Sequence, residues 1–389
     1  MMRTPRVSSV ARLDLGHFEQ PAAVRDACPP VTDRTLEAVI GDWDGEAVAI
    51  RFDRETGAWF FVAFHDTTLG TPNGGTRMRV YDGAADGLED AMRLAEGMTR
   101  KWAVLGLPFG GGKAVLAVSS WPEGEEREGL LLRYGRFLET LGGSFQTGVD
   151  LGTTPEDMLV IGRVTRNVHG VEFETGRMID PGPFTARGVL RGIEAALQAV
   201  FGDPSPEGRS ILVQGLGDVG RPLAGFLAER GARLLVSDLD QERAARVTRE
   251  LGGEPVPPAE VAGRPCDVYA PCAVGGILTR ETIPGLACRI VAGSANAQLG
   301  EPGDADRLHD RGILYAPDYV VNGGGAAAFG LLSIGVRDEA VILARVDGIG
   351  DTLREIFHAA AERDESPVET ARRKVDEVLG RGVAAVQAR

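Results

Sequence analysis

The sequence predicts an α/β protein of two domains, in which an α/β domain precedes a doubly wound domain built on a parallel sheet. Its 389 residues are enough for two domains that each bury a core of their own. Hydrophobic residues make up 43% and charged residues 25%, which is typical of a globular protein. Beyond residue 183 strand-like stretches alternate with helical ones, and this alternation favours a parallel sheet with helices on both faces.

The predicted boundaries give an arm at 1–34, a first domain at 35–182 and a second domain at 183–335. The arm contains several prolines and no regular apolar pattern. Residues 336–389 have a helical pattern, and we expect these helices to return to the first domain and complete it.

The first domain begins with strands. Stretches 47–53 and 59–66 are rich in Val, Ile and Phe, and the four residues between them, which end at Gly57, predict a hairpin. A third strand is predicted at 76–81.

Helices follow these strands. Apolar residues recur at three- and four-residue spacing over 86–105, which predicts an amphipathic helix. Pro108 and the three glycines at 110–112 are expected to end that region in a tight turn. Further helices are predicted at 127–140 and 155–168.

The second domain is predicted to begin with a helix at 187–201. Its predicted strands are 210–215, 233–238, 267–271, 289–292 and 312–317.

Composition excludes several classes of protein. A net charge of −14 leaves no basic surplus to neutralise phosphates, so we expect no nucleic acid partner. We expect no membrane association, because no apolar run has membrane-spanning length, and the N-terminal residues lack the apolar core of a signal peptide. The four cysteines match no zinc-site spacing, so we expect no metal and a cytoplasmic location with reduced thiols.

Lysine is rare in this chain. Lysine and arginine total 42, but lysine occurs only at Lys101, Lys113 and Lys374, which leaves 42 − 3 = 39 arginines. Arginine does not lose its proton in proteins, whereas a desolvated lysine becomes neutral near physiological pH. A lysine that persists against this bias is a candidate for chemistry, although chance placement is the alternative.

A glycine motif predicts a dinucleotide site. Gly215, Gly217 and Gly220 form a GxGxxG pattern with Asp218 and Val219 between them, placed after a strand and before a predicted helix at 219–229. Such a Rossmann-type turn brings backbone N–H groups and a helix N-terminus to a pyrophosphate. Asp238 ends the next strand, where its carboxylate would hold ribose hydroxyls and repel a 2′-phosphate, so NAD is favoured over NADP. Arg243 nearby leaves the strictness of that preference open.

The two early lysines lie around the glycine run. Lys101 is near the C-terminal end of the predicted helix and shares a face with Met98, and Lys113 follows the three glycines. One ammonium can anchor a substrate carboxylate, and a second, with its pKa lowered by burial or by its neighbour, can act as a general base. Asp150 follows in a glycine-flanked turn, where it either handles protons or caps the turn.

Many ordered blocks, from about Phe64 to Phe329, resemble the glutamate/leucine/phenylalanine/valine dehydrogenases. The blocks are HDTTLG (65–70), GGTRM (74–78), GMTRKW (97–102), LPFGGGK (107–113), VDLGT (149–153), FTARGV (184–189), APCA (270–273), AGSAN (292–296) and PDYVVNGG (317–324). The resemblance implies an N-terminal catalytic and oligomerisation domain, a Rossmann domain for NAD, and a homo-oligomer. It also implies reversible oxidative deamination of an L-amino acid, giving the 2-oxoacid, ammonia and NADH.

The resemblance also implies residue roles. Lys101 would hold the α-carboxylate, Lys113 would be the general base that activates water, and Asp150 would handle protons at the amino group. Residues implied at the cofactor or beside the substrate are Thr185, Ala273 and Asn296 for the cofactor, and Gly74, Met98 and Asn322 for the substrate.

Side-chain specificity is predicted from departures. Glutamate-type members resemble one another in having a lysine where this chain has Asn73, and leucine-type members have leucine there. Gly148 and Ala326 stand where leucine-type members tend to have Ala and Val, so the pocket is expected to be larger. We therefore predict a hydrophobic substrate, with phenylalanine or tryptophan ahead of leucine or valine. Asn73 either binds a polar tip such as an indole or caps a turn and faces solvent.

Two other classes remain as alternatives. A malic-type NAD-dependent decarboxylating dehydrogenase would need a carboxylate cluster for a metal, but Glu89 and Asp90 are interpreted as solvated surface charge. A non-catalytic NAD-binding relative is the other alternative, and the joint presence of Lys101, Lys113 and Asp150 argues against it.

Overall fold

The computed structural model describes residues 36–41, 43–172 and 177–387, so the predicted arm at 1–34 lies outside the described residues. The strands are β1 (Ala47–Asp53), β2 (Ala58–Asp66), β3 (Pro72–Asn73), β4 (Thr76–Val80), β5 (Gly110–Val118), β6 (Val171–Glu172), β7 (Arg177–Met178), β8 (Ser210–Gln214), β9 (Arg233–Ser237), β10 (Glu254–Pro255), β11 (Cys266–Pro271), β12 (Cys288–Val291) and β13 (Leu314–Tyr315). The helices are α1 (Leu36–Gly41), α2 (Ala84–Leu105), α3 (Gly124–Thr140), α4 (Pro155–Ile161), α5 (Gly182–Phe201), α6 (Gly220–Glu229), α7 (Gln241–Leu251), α8 (Asp304–Asp310), α9 (Asp318–Val321), α10 (Gly324–Ser333), α11 (Glu339–Arg363) and α12 (Pro367–Gln387).

The first sheet contains β1 to β5. β1 and β2 form the predicted antiparallel hairpin, with Gly57 at φ +71° in the turn. β2 pairs with β5 in antiparallel fashion, and β3 and β4 both pair with β5 in parallel. β5 is therefore the central strand, and all nine of its residues are buried.

The predicted tight turn at the three glycines is wrong, because these residues begin β5. A Cβ on Gly111 would lie 1.8 Å from Thr99 Oγ1, and one on Gly112 would lie 2.8 Å from the ring of Phe145. The glycines thus allow α2 to pack directly on the strand. Lys113 consequently projects from a rigid central strand rather than from a turn.

Two helices of the first domain, α2 and α4, can be compared with the bounds that the apolar spacing predicts. α2 follows the prediction closely and ends at Gly106, which adopts the left-handed conformation at φ +61°. α4 ends at Ile161, so the prediction of a helix through 168 is wrong. The chain turns after Gly162, and Val168 forms a parallel bridge with Thr147.

The second sheet confirms the doubly wound prediction. Its order is β10-β9-β8-β11-β12-β13, and every neighbouring pair is parallel. This order reverses between β8 and β11, and open α/β sheets bind ligands outside the carboxyl ends of the strands at such a point.

The C-terminal helices divide between the two halves of the molecule. α12 packs against α2 and so returns to the first domain as predicted. α11 lies mainly along α5, where Asp347 accepts hydrogen bonds from Arg187 and Arg191. Within the described ranges, no helix is both long and apolar enough to cross a membrane.

Candidate active site

Lys113 and Asp150 form a buried ion pair. Lys113 projects from β5, and its Nζ lies 2.5 Å from Oδ2 of Asp150. The Lys113 side chain is 6% exposed and that of Asp150 is 13% exposed. Burial acts to raise the pKa of Asp150, but the charges of Lys113 and Arg77 outweigh it and hold this pKa well below its usual range. Asp150 is therefore ionised at physiological pH.

The second oxygen of Asp150 is held by Arg77, a residue of β4. Arg77 Nε donates to Asp150 Oδ1 at 2.9 Å, and its Nη1 donates to Asp90 Oδ2 at 3.0 Å. Asp90 is 9% exposed and also accepts hydrogen bonds from Tyr81 and Arg93. The interpretation of Asp90 as solvated surface charge is therefore wrong, since the face of α2 that carries it packs on the first sheet.

Lys101 lies on the last turns of α2. Within the described ranges it forms no direct ion pair, yet it is close enough to Lys113 for their charges to interact. Burial and the ammonium of Lys113 lower the pKa of Lys101 to about 8, while Asp318 and Asp150 act in the opposite direction. A buried lysine with no direct counter-ion among the described residues is suited to bind a substrate carboxylate, which would favour its charged form.

Asp318 connects Lys101 with the second sheet. Its carboxylate follows β13 and accepts the backbone N–H of Ala297 at 2.5 Å. Ala297 has a left-handed φ of +49°, a conformation that costs energy in a residue with a Cβ, so this bond helps to hold the loop after Asn296. Burial raises the pKa of Asp318, and Lys101 counteracts that shift.

The residues around Asn73 are tightly packed. Asn73 is 3% exposed, its backbone carbonyl accepts a hydrogen bond from Trp102 Nε1, and its Nδ2 is buried with no partner among the described residues. The alternative in which Asn73 faces solvent is therefore wrong. A Cβ on Gly74 would lie 1.9 Å from the carbonyl oxygen of Gly112 and 3.2 Å from Met98 Cγ. Gly74 thus lets this segment pass close to β5.

Gly148 is buried and lies next to His169 and to Phe329 of α10. A Cβ there would be 3.5 Å from Cδ2 of His169 and 3.8 Å from Cδ2 of Phe329, which are ordinary contact distances. Phe329 follows Ala326 on the same helix, one turn later. His169 also lines a cavity, and its buried Nε2 has no partner within the described ranges. Burial lowers the pKa of His169 to about 4, so the ring is neutral at physiological pH.

The glycine turn between β8 and α6 has the geometry of a phosphate-binding loop. Gly215 has φ +90°, and a Cβ on Gly220 would lie 1.8 Å from the Gly215 carbonyl oxygen. Gly217 and Asp218 are exposed, no atom lies within 4 Å of a Cβ on Gly217, and Val219 precedes the first turn of α6. The residues present therefore fit a dinucleotide, because the turn is closed by backbone contacts and its outer side is open.

Asp238 ends the strand beside this turn. Its Oδ2 accepts the backbone N–H of Leu216 at 2.8 Å, and Arg243 Nη1 lies 3.3 Å from the same oxygen. Arg243 thus already contacts the carboxylate that is predicted to bind the ribose.

The other predicted cofactor residues lie at the carboxyl ends of β11 and β12 and at the start of α5. Ala273 packs against Gly215, whose Cβ would lie 2.7 Å from that of Ala273. Asn322 Nδ2 donates to Asn296 Oδ1 at 2.7 Å, and its Oδ1 is buried with no partner among the described residues. Thr185 Oγ1 accepts the backbone N–H of Gly325 at 3.1 Å, so it joins α5 to α10.

Three functional candidates were not singled out by their sequence pattern. Arg77 and Asp318 lie in blocks that the resemblance covers, but neither had a derived role. The sequence around His169 contains no partner pattern that would indicate a role. The available signal was position, because Arg77 lies two residues after a pair of glycines at the start of β4 and Asp318 lies three residues after the end of β13. No cluster of His, Cys, Asp or Glu suited to a metal ion occurs among the residues that the structure describes.

Comparison with known proteins finds the same family at both sheets. The family model "Glu/Leu/Phe/Val dehydrogenase, dimerisation domain" matches residues 47–167, and "Glutamate/Leucine/Phenylalanine/Valine dehydrogenase" matches residues 236–334. Leucine dehydrogenase from Geobacillus stearothermophilus is 42% identical over 329 residues, which cover 85% of this chain and 89% of that protein.

L-tryptophan dehydrogenase from Nostoc punctiforme is 42% identical over 317 residues, or 81% of this chain and 88% of that protein. A crystal structure of L-tryptophan dehydrogenase from Nostoc punctiforme superposes with a TM-score of 0.75 and 37% identity. That superposition covers 90% of this chain and 100% of the other.

Proposed function

Because the chain belongs to the glutamate/leucine/phenylalanine/valine dehydrogenase family, we propose that it catalyses the reversible NAD-dependent oxidative deamination of a hydrophobic L-amino acid. The observation that carries this proposal is the buried Lys113–Asp150 pair, whose charges act on Lys101 together with that of Asp318, a residue bonded to the loop after Asn296. Groups suited to a carboxylate, to proton transfer and to a nicotinamide therefore lie close together. The comparisons do not favour the malic-type or non-catalytic alternatives.

Lys101, Lys113 and Asp150 would have different roles in the reaction. Lys101 binds the α-carboxylate, whose negative charge favours the protonated form of this lysine. Lys113 removes a proton from the water that attacks the imine of the substrate, and Asp150 exchanges protons at the amino group. Their burial keeps bulk water away from the reacting carbon.

The cofactor would be held by the second sheet. Gly215, Gly217 and Gly220 with Val219 and the start of α6 would receive the pyrophosphate, and Asp238 the adenosine ribose. Thr185, Ala273 and Asn296 are proposed at the nicotinamide end, and Asn322 is proposed beside the substrate. When bound, NAD accepts the α-hydrogen of the substrate as hydride. The hydrogen bond from Asn322 orients the side chain of Asn296 for binding the nicotinamide.

The proposed substrate has a large hydrophobic side chain, with tryptophan or phenylalanine ahead of leucine or valine. Gly148 leaves room for one methyl group before the rings of His169 and Phe329 are in contact, and Ala326 is small. The side chain at position 73 is an uncharged amide, so no cation there would meet the distal carboxylate of glutamate. The unpartnered Nδ2 of Asn73 is a hydrogen-bond donor, so it would bind an acceptor and not the indole N–H of tryptophan, which itself donates.

We also propose a homo-oligomer and a cytoplasmic location. Ile50, Phe52 and Trp59 are 40%, 43% and 36% exposed, and among the described residues β1 pairs with β2 alone. This unpaired apolar edge lies within the region matched by the dimerisation-domain model, so its occupant is a second copy of the chain. The three cysteines of the described ranges are free thiols, which agrees with a reducing compartment. Light scattering of the wild type and of Phe52→Glu tests the assembly.

The function itself is tested with a substrate panel. NADH formation is measured with tryptophan, phenylalanine, leucine, valine and glutamate at equal concentration, with NAD and then NADP. The expected order places the aromatic substrates first and glutamate last. A clear preference for glutamate would contradict the pocket, and no turnover of any of the five would contradict the function.

A further inference from the structure

We propose that Arg77 is a positioning residue for the reaction. By binding Oδ1 of Asp150 it fixes the carboxylate so that the other oxygen, Oδ2, faces Lys113. This inference rests on the proposed function, and it concerns a residue to which no role has been given. Among the described residues the side chain of Arg77 has hydrogen bonds to Asp150 and Asp90 and none to Lys113, so it would act through Asp150.

The contacts form an unbroken buried chain. Lys113 Nζ lies 2.5 Å from Asp150 Oδ2, and Arg77 Nε lies 2.9 Å from Asp150 Oδ1. Arg77 Nη1 lies 3.0 Å from Asp90 Oδ2, and Tyr81 donates to that same oxygen at 2.6 Å. The side chains of Arg77 and Asp90 are each 10% exposed. Bonds in such a place are not shared with bulk water, so their geometry is fixed by the protein.

The charges alternate along this chain. The basic side chains of Lys113 and Arg77 alternate with the carboxylates of Asp150 and Asp90. Asp150 also interacts with the charge of Lys101 on α2, which makes Lys101, Lys113 and Arg77 the cations around it. Removal of Arg77 would leave Asp150 with a free oxygen and one direct cation, and the carboxylate would be able to rotate or to share the lysine proton.

The geometry explains why arginine occupies this position. Two different nitrogens of one planar guanidinium reach two carboxylates, one on the loop after Gly148 and one on α2. A lysine has a single nitrogen and cannot hold both in the same way. Arg77 thereby connects α2, the helix that carries Lys101, to the loop that carries Asp150. The distance between Lys101 and Asp150 therefore depends on Arg77.

The consequence is a loss of turnover rather than of cofactor binding. A misplaced catalytic group that still binds its ligands lowers kcat, and a shift of about 1 Å costs about 100-fold. Lys113 and then Arg77 hold the pKa of Asp150 low, so the removal of Arg77 would raise that pKa and move the acid limb of the kcat profile to higher pH. The Kd for NAD would stay the same, since Arg77 lies in the first sheet.

The experiment compares Arg77→Gln and Arg77→Lys with Arg93→Gln. Arg93 is the matched control, because it binds the same Asp90 at 2.6 Å but is half-exposed and has no contact with Asp150. We expect Arg77→Gln to lower kcat about 100-fold and to raise the pH of the acid limb, with KM for NAD within twofold of wild type. Arg77→Lys should recover a small part of kcat, and Arg93→Gln should resemble wild type in both kcat and pH profile.

The result that would overturn the proposal is a wild-type kcat and pH profile in folded Arg77→Gln, or an equal loss in Arg93→Gln. If Arg77→Gln does not fold, Arg77→Lys decides, since it keeps the charge and loses only the two-carboxylate geometry. A fully active Arg77→Lys with an unchanged pH profile would then refute the positioning role. Failure of the proposed function is distinguishable, because in that case the wild type would not oxidise any amino acid.

Discussion

The two sides of the candidate site are built by different means. On the side of the first sheet, charged side chains are buried in direct ion pairs, as in Lys113–Asp150 and Arg77–Asp90. On the side of the second sheet, the predicted contacts are mainly glycine backbone and neutral amides such as Asn322 with Asn296, and Asp238 is the carboxylate among them. The difference matches the tasks, since proton transfer needs oriented charges and a pyrophosphate needs close backbone N–H groups. Side-chain changes should therefore act on turnover at the first side, and added methyl groups should act on affinity at the second.

The largest effect is expected from Lys113→Ala, which removes the proposed base and leaves Asp150 paired with Arg77 alone. Turnover should fall about a thousandfold or more, because general base catalysis contributes on that order. NAD binding, measured by calorimetry, should be unchanged.

The control for this variant is Lys374→Ala. Lys374 is one-third exposed and pairs with Glu355, and surface pairs of this kind contribute about 0–1 kcal/mol to stability. Full activity of Lys113→Ala would refute the mechanism proposed for the first side.

The second side is tested by Gly217→Ala. No atom lies within 4 Å of the added methyl group, so the melting temperature should not change. The methyl group would occupy the open side of the turn, where the pyrophosphate is proposed, and the Kd for NAD should rise about tenfold or more, as overpacking by one group costs about 1–3 kcal/mol. Gly225→Ala is the matched control, because its Cβ is also free of contacts and it lies further along α6. Equal Kd values for the two variants would place the cofactor elsewhere.

The lowered pKa of Lys101 predicts that the binding of a carboxylate depends on pH. Its pKa is lowered to about 8, so the free enzyme loses this charge as pH rises through that value. The inhibition constant of a hydrophobic carboxylic acid without an amino group should be flat below pH 7. Above about pH 8 it should rise about tenfold per pH unit. In Lys101→Arg the acid should bind more weakly at low pH but with no such rise, since arginine stays charged. A rise that persists in the variant would assign the titration to another group.

A smaller effect is expected from Gly148→Ala, which adds a methyl group between the backbone and the ring of His169. The contact distances of 3.5 and 3.8 Å cause no steric strain, so the variant should fold normally. The ratio of kcat/KM for tryptophan to that for leucine should fall roughly tenfold, because one methyl group is worth about 1–3 kcal/mol in such a pocket. Gly348→Ala on α11 is the control for an added methyl group without contacts. An unchanged ratio would show that Gly148 does not line the pocket.

The sequence was sufficient for elements whose pattern is local. The β1 hairpin, α2 and the strand–glycine–helix unit at Gly215 follow from periodicity and turn residues within a few positions of one another. The glycines of β5 were misinterpreted because glycine usually marks a turn, whereas here it allows Thr99 and Phe145 to pack on a central strand. That packing depends on residues distant in the sequence, which a local pattern does not contain.

The site was predictable in its parts but not in its connections. The resemblance indicated Lys101, Lys113 and Asp150. The hydrogen bonds from Arg77 to Asp150 and Asp90, however, join a loop, β4 and α2, which are distant from one another in the sequence. Asp90 looked like surface charge because a charged residue in an amphipathic helix usually faces solvent. Its burial becomes visible only once α2 is placed on β5 and β4 brings Arg77 to the same point.

The most direct test of the central claim is to measure the products of the reaction with tryptophan, phenylalanine or leucine. Oxidative deamination predicts NADH, ammonia and the 2-oxoacid in equal amounts, and the loss of all three in Lys113→Ala. NADH formation without ammonia would contradict the account. So would the release of carbon dioxide with NADH when a hydroxy acid is supplied in place of the amino acid.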